Sequence, residues 1–181
     1  SLNRDEDNRA NNSDFFAHAT LMATDSVTLI GGLRASTVSF TSQDYYLSNG
    51  DGSGAVSYQA TSPVLGITYH ANDQLNLYAN YGKGFETPTL VEVAYKGVGA
   101  PAFNTSINAS TSQHYELGAK WAPSADSRLD ATLFQITSAN EIVVDVSAAG
   151  STAYKNAPGT RRTGWELSGR TQLTPQIRAS L

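Results

Sequence analysis

The chain has 181 residues, a formal net charge of −4 and no cysteine, enough for a single domain and without disulfides, thiolate metal sites or cysteine nucleophiles. Lys and Arg total 12 and form no stripe, which argues against nucleic acid as a partner. Charged residues are 15% of the chain, well below the usual level of about 25%; Asn, Ser, Thr and Gly take their place, as on a wet surface of low charge density.

Residues 1–14 are mostly polar, with Asn, Asp, Arg and Glu, and read as loop. Residues 15–23 alternate, with Phe15, Ala17, Ala19 and Leu21 on one face of a strand. Thr24, Asp25 and Ser26 make a tight turn. A second strand covers about 27–40, with Val27, Leu29, Leu33 and Ala35 opposite Thr28, Gly32, Arg34 and Ser36. A loop rich in Gly, Ser and Asp follows over 43–58. The third strand spans about 59–71 and the fourth 75–85, joined by a turn at Ala71, Asn72, Asp73 and Gln74. Leu75, Leu77, Ala79 and Tyr81 alternate there with Asn76, Tyr78, Asn80 and Gly82.

A long loop covers 86–110. The fifth strand, about 111–122, sets Tyr115, Leu117, Ala119 and Trp121 against His114, Glu116, Gly118 and Lys120. After a turn at 123–127 the sixth strand runs from Arg128 to about Val144, and its blurred alternation at Phe134, Gln135 and Ile136 predicts a bulge. Residues 145–153 read as loop, about 154–171 as a seventh strand, 173–176 as a turn, and an eighth strand then begins.

The fold class is therefore all-β: an antiparallel up-and-down meander of about seven or eight strands. Short and long connections alternate strictly, as in a membrane barrel with short turns at one rim and long loops at the other. Arg34, Glu116, Lys120, Asp130, Glu166 and Arg170 sit mid-strand on the polar phase. Burying one unpaired charge costs several kcal/mol, so that face must meet water or a polar plug. On the apolar phase, Tyr69 and Trp121 beside short turns and Phe15 and Phe85 near long loops have the spacing of two aromatic girdles. The pattern is that of a segment of a large transmembrane β-barrel, with its oily side facing lipid. A small complete barrel predicts instead a closed sheet within the chain. A soluble β-sandwich binding module predicts Leu75, Leu77, Leu117 and Leu133 buried against a second sheet.

No catalytic constellation stands out. His18, His70 and His114 lie in separate strands without metal-ligand spacing, so no metal site is expected. Gly82-Lys83-Gly84 lacks the strand–loop–helix setting of a phosphate loop and is read as relief of crowding on the luminal side. Tyr45, Tyr46, Tyr58, Tyr95 and Phe103 fall in the long loops, where aromatic rings either stack on a ligand or pack loop against loop.

Residues 81–89, Tyr-Gly-Lys-Gly-Phe-Glu-Thr-Pro-Thr, resemble the Gly-Phe-x-x-Pro-Thr signature of TonB-dependent outer-membrane receptors. Ser112 to Lys120 is similar to that family's Ser-x-x-Tyr-Glu-x-Gly-x-Lys strand. Leu133-Phe134-Gln135 with Asn140-Glu141-Ile142-Val143, and then Tyr154-Lys155-Asn156-Ala157 with Arg162-Thr163-Gly164-Trp165-Glu166, resemble the strands after it, except that Pro158 stands where the family usually has Gly. The resemblance implies part of the wall of a plugged barrel in the bacterial cell outer membrane, without catalysis and without a resident cofactor. It implies active import of a ferric siderophore or similar scarce small-molecule ligand, the cargo being an iron chelate. The expected partners are outer-membrane lipid, the receptor's own plug domain, and the TonB complex through an N-terminal part not in this sequence. Arg34, Glu116, Lys120, Glu166 and Arg170 are then expected to face the lumen and plug, and the five loop aromatics to be the ligand-binding candidates. The plug, the TonB box and the closing strand are not among these 181 residues, so residues 1–181 are read as a partial barrel domain.

Overall fold

In the computed structural model, which describes residues 4–97, 100–101, 103–148 and 150–181, one antiparallel sheet of eight strands dominates. It is built from β1 (Glu6–Thr24), β2 (Val27–Asp44), β3 (Gly54–Asn72), β4 (Leu75–Glu86), β7 (Ser110–Ser124), β8 (Ser127–Ala139), β11 (Arg161–Thr174) and β12 (Ile177–Ser180), paired in chain order. Three elements sit between β4 and β7: α1 (Leu90–Val93), β5 (Tyr95–Gly97) and β6 (Ala100–Pro101). Between β8 and β11, β9 (Glu141–Ala148) and β10 (Ser151–Ala157) form their own hairpin. Among the described residues β1 does not pair with β12, so the sheet is open, unlike a small closed barrel.

Register carries the apolar phase unbroken across the sheet. Leu21 faces Leu29, Leu29 faces Ile67, Ile67 faces Ala79, Ala79 faces Leu117, Leu117 faces Leu133 and Leu133 faces Trp165. Directly opposed residues of antiparallel strands share a face, so these side chains make one oily surface. Among the described residues nothing covers it: Leu77 is 41% exposed, Leu117 and Leu133 each 59%, and Trp165 72%. A sandwich would bury these leucines. In β1 the apolar alternation runs from Phe15 to Ala23, close to the roughly 9–11 residues that a tilted strand needs to cross a bilayer. An exposed apolar surface of this extent belongs in lipid.

Several expected boundaries shift. β1 starts at Glu6, so residues 6–14 are strand and not loop; they pair with β2 from Ser36 to Asp44. Above the apolar band both faces meet water, so alternation, the cue for a strand, disappears there. The loop expected over 43–58 shrinks to 45–53, and Tyr58 lies within β3. No bulge forms at 134–136, where β8 stays in register with both neighbours. The break comes at Asn140, whose φ of 57° is left-handed. It ends the sixth strand early and turns the rest into the β9–β10 hairpin, so residues 145–153 are mostly strand. The chain re-enters the sheet past Pro158 at Gly159, where a Cβ would collide with the Ser138 carbonyl.

Candidate functional site

Antiparallel register places Arg34, Glu116, Lys120, Glu166 and Arg170 together on the polar face. Glu116 lies opposite Asn80 and Phe134, Glu166 opposite Thr132, and Lys120 opposite Asn76 and Asp130. Arg34 pairs with Asp14 across β1–β2 at 2.8 Å, with Ser36 also donating to Asp14. Lys120 Nζ sits 5.0 Å above the Tyr78 ring. Tyr78 itself crosses over Gly118, where a Cβ would strike the ring, and its hydroxyl reaches Thr132 Oγ1 at 2.8 Å. Arg170 stands directly opposite Arg128, which is taken by Asp130 at 2.7 Å. Glu116, Glu166 and Arg170 have no ion-pair partner among the described residues. Two of the three histidines make side-chain hydrogen bonds: His70 lies between Thr28 and Asn76, and His114 contacts Ser112 at 2.8 Å. Of the Gly82/Gly84 pair only Gly84 is crowded, against Ser112; Gly82 has room.

Above the membrane band the polar face is roofed. Thr89 caps α1: its backbone N–H donates to Glu92 Oε2 at 2.6 Å, and its hydroxyl accepts from the Glu92 N–H at 3.4 Å. Val93, fully buried, then packs with Phe40, Tyr58 and Phe103 as a small core. Phe40 and Tyr58 meet edge to face with centroids 6.3 Å apart. The Tyr58 hydroxyl donates to the Ile107 carbonyl at 2.9 Å, and burial pushes its pKa up. Phe103 is 6% exposed and lies over Gly54. Phe85 leans on this core, so it is not an exposed girdle residue. On the outer side of that rim the exposed aromatics are Phe15, Tyr115 and Trp165, and Tyr81 packs against Tyr115 at 5.1 Å.

The five loop aromatics therefore separate. Tyr58 and Phe103 pack loop against strand, and neither offers a ring face to solvent. Tyr45 is exposed and Tyr46 half-buried in the 45–53 loop, while the side chain of Tyr95 lies outside the described residues. That loop is folded around Asp44, whose carboxylate accepts from the Tyr46 and Gly52 N–H groups, each at 2.9 Å. Asp51 accepts from Ser53 in the same loop, which lowers its pKa.

Two recesses with charged and hydroxyl side chains in their walls open on the inner face at the outer rim. One, of about 510 Å³, is lined by Glu86, Glu92, His114, Glu141 and Arg162 together with serines of β7 and β8. The other, of about 460 Å³, is lined by Asn12, Asp14, Arg34, Ser36, Lys83 and Thr87. Both fall in the size range of small-molecule pockets. A larger hollow of about 730 Å³ lies among Leu29, Leu65, Ile67, Leu117 and Leu133, and its lining is mainly that of the lipid-facing wall. Sequence reasoning did not single out Glu86, Glu92, Glu141 or Arg162. The Thr89-x-x-Glu92 capping pattern was available as a signal for α1; Glu86, Glu141 and Arg162 fall within the matched motifs, but nothing in the sequence says that they share a recess.

An open meander with an oily outer face, a polar inner face and a roofed outer rim defines the wall of an outer-membrane β-barrel. The full chain, residues 1–181, matches the family described as TonB dependent receptor-like, beta-barrel, and belongs to it. Such barrels reside in the outer membrane of Gram-negative bacteria, in a family of transport receptors. Among solved structures, the copper transporter OprC superposes with a TM-score of 0.77 at 20% identity, over 96% of this chain and 28% of that one. The ferric-catecholate import receptor Fiu from K12 E. coli gives 0.71 at 22% identity, over 94% and 26%. The alcaligin outer-membrane receptor FauA from Bordetella pertussis gives 0.66 at 21%, over 94% and 28%. The chain thus spans little more than a quarter of the length of these receptors.

Proposed function

We propose that this chain forms part of the wall of a non-enzymatic receptor that imports a ferric siderophore or similar scarce chelate, with TonB supplying the drive. The observation that carries this reading is the pair of recesses on the inner face at the outer rim, both with charged and hydroxyl side chains in their walls. A ligand arriving from outside meets them before it meets the rest of the polar face. Exposed Tyr45 and half-buried Tyr46 supply rings at the entrance. Glu116, Glu166, Lys120, Arg34 and Arg170 supply charges facing a plug. An iron chelate rich in hydroxyl and amide groups suits walls of Glu, Ser, His and Arg. Its iron is cargo, held by the chelator and not by side chains of this sheet.

The test is uptake in cells starved of iron. The receptor carrying this chain is expressed in a strain without siderophore receptors, with and without TonB, and given radiolabelled ferric siderophores, haem and a copper chelate in turn. Uptake of a ferric chelate that disappears without TonB supports the proposal. Uptake indifferent to TonB, or confined to the copper chelate, contradicts it.

A further inference from the structure

Asn156 is part of a motif matched in sequence but not explained by the wall or by the recesses. Its side-chain carbonyl accepts from the Asn108 N–H at 2.7 Å. Its amide nitrogen donates to the Asn108 carbonyl and to the Asn140 carbonyl, each at 2.9 Å. One N–H and two carbonyls as partners determine which way the amide points. A single side chain thereby joins three places: β10, the loop before β7, and the left-handed break that starts the hairpin.

The surroundings give that link its meaning. Among the described residues, hydrogen bonds tie the hairpin to the sheet at its base, and β10 packs against α1 and β5. At the base the Thr160 and Ser138 backbones exchange hydrogen bonds at 2.9 and 3.1 Å, and Glu141 accepts from Thr160 and Arg162. The loop is held from the other side, where Tyr58 grips Ile107, the residue next to Asn108. Adjacent residues of one loop are thus held from opposite directions, by β3 and by β10. Glu92 from the loop segment and Glu141 from the hairpin both line the same recess.

We infer that Asn156 is a positioning residue that locks the hairpin to the segment over 103–109, itself tied to α1 where the Asn104 N–H donates to the Val93 carbonyl, so that hairpin and α1 roof the recess and open as one body. The hinges are Asn140 and Gly159. Without Asn156 the hairpin keeps its packing on α1 and β5 but loses its hydrogen bonds to the loop, so it loosens about its base while the loop stays on Tyr58. This goes beyond the import reading and does not need the cargo to be known.

The experiment is hydrogen–deuterium exchange on the complete receptor in lipid nanodiscs. In the parent, the segments over 103–110 and 141–157 exchange at matched rates. Asn156→Ala is expected to raise exchange in the hairpin about tenfold, as loss of one or two net hydrogen bonds implies, with 113–137 unchanged. Asn156→Asp keeps an acceptor for the Asn108 N–H but no donor, so Asn108 stays protected while the hairpin loosens. The chain has no cysteine, so Asn108→Cys with Asn156→Cys, joined by a short thiol-bridging reagent, is expected to restore matched exchange, and the unbridged pair to behave like the alanine variant. Unchanged exchange in Asn156→Ala overturns the inference, as does a rise that spreads through β7 and β8. If the alanine variant does not assemble, the bridged and unbridged cysteine pair carries the test, and equal exchange in both states overturns it. Failed uptake with matched exchange would count against the import proposal alone.

Discussion

The membrane band and the outer roof are made from the same strands by different physics. In the band, side-chain identity matters mainly by class, oily outward and polar inward, and the leucines pack against no second layer. In the roof, a few particular residues hold everything: Val93 and Phe103 in a small core, Thr89 capping α1, Asp44 folding a loop around its carboxylate, and Asn156 joining loop to hairpin. The band is specified by a period and the roof by individual contacts. Substitutions in the band should therefore be judged by face and depth, and substitutions in the roof by partner.

The largest effect that separates the two regions is charge on the oily face. Leu133→Arg should destabilise the folded receptor by about 2–4 kcal/mol, as measured by urea unfolding in vesicles, because an arginine in mid-bilayer costs that much. Thr132→Arg, one residue away on the polar face, should cost far less. Equal losses would mean that face does not govern the band. Next comes Phe103→Ala, which empties the roof core and should cost the roof about 3 kcal/mol. Its loss should show as faster exchange over 54–58 and 103–110 while β8 and β11 stay protected. Unfolding of the whole sheet would show instead that the roof and band are one cooperative unit.

A smaller effect is expected from Tyr58→Phe, which leaves the ring in place and removes the bond to Ile107. About 1 kcal/mol of roof stability should go, read by the same exchange measurement. The smallest effect is the alkaline one. Burial raises the Tyr58 pKa above its unfolded value. The neutral hydroxyl is thus favoured in the fold, its contribution is complete below about pH 10, and it is lost as pH rises through the folded pKa. Roof exchange should accelerate more steeply above pH 10 in the parent than in Tyr58→Phe. Identical pH profiles would remove Tyr58 from the account.

The same contrast decides how much could be read in advance. Where one face met lipid, alternation placed the strands well: Val27, Leu75 and the turn at 24–26 fall where the period puts them. Arg34, Glu116, Lys120, Glu166 and Arg170 share one face for the same reason. Where both faces met water the period vanished, so residues 6–14 were read as loop although they pair through Asp44. Ile142, Val143 and Val144 looked like a continued sixth strand because they are β-formers; the left-handed Asn140 that diverts them leaves no periodic trace. The recesses were hidden because Glu86, Glu92, Glu141 and Arg162 converge from four elements or loops through pairings more than 20 residues apart.

The central claim is that the leucines look into lipid and the charges into a wet interior. Single cysteines from Tyr115 to Trp121 of the complete receptor, spin-labelled one at a time and probed in vesicles with oxygen and a water-soluble nickel chelate, test it most directly. Labels at 115, 117, 119 and 121 should collide mainly with oxygen, and those at 116, 118 and 120 mainly with the chelate, giving a period of two. The reverse phase, or no period, would contradict the account.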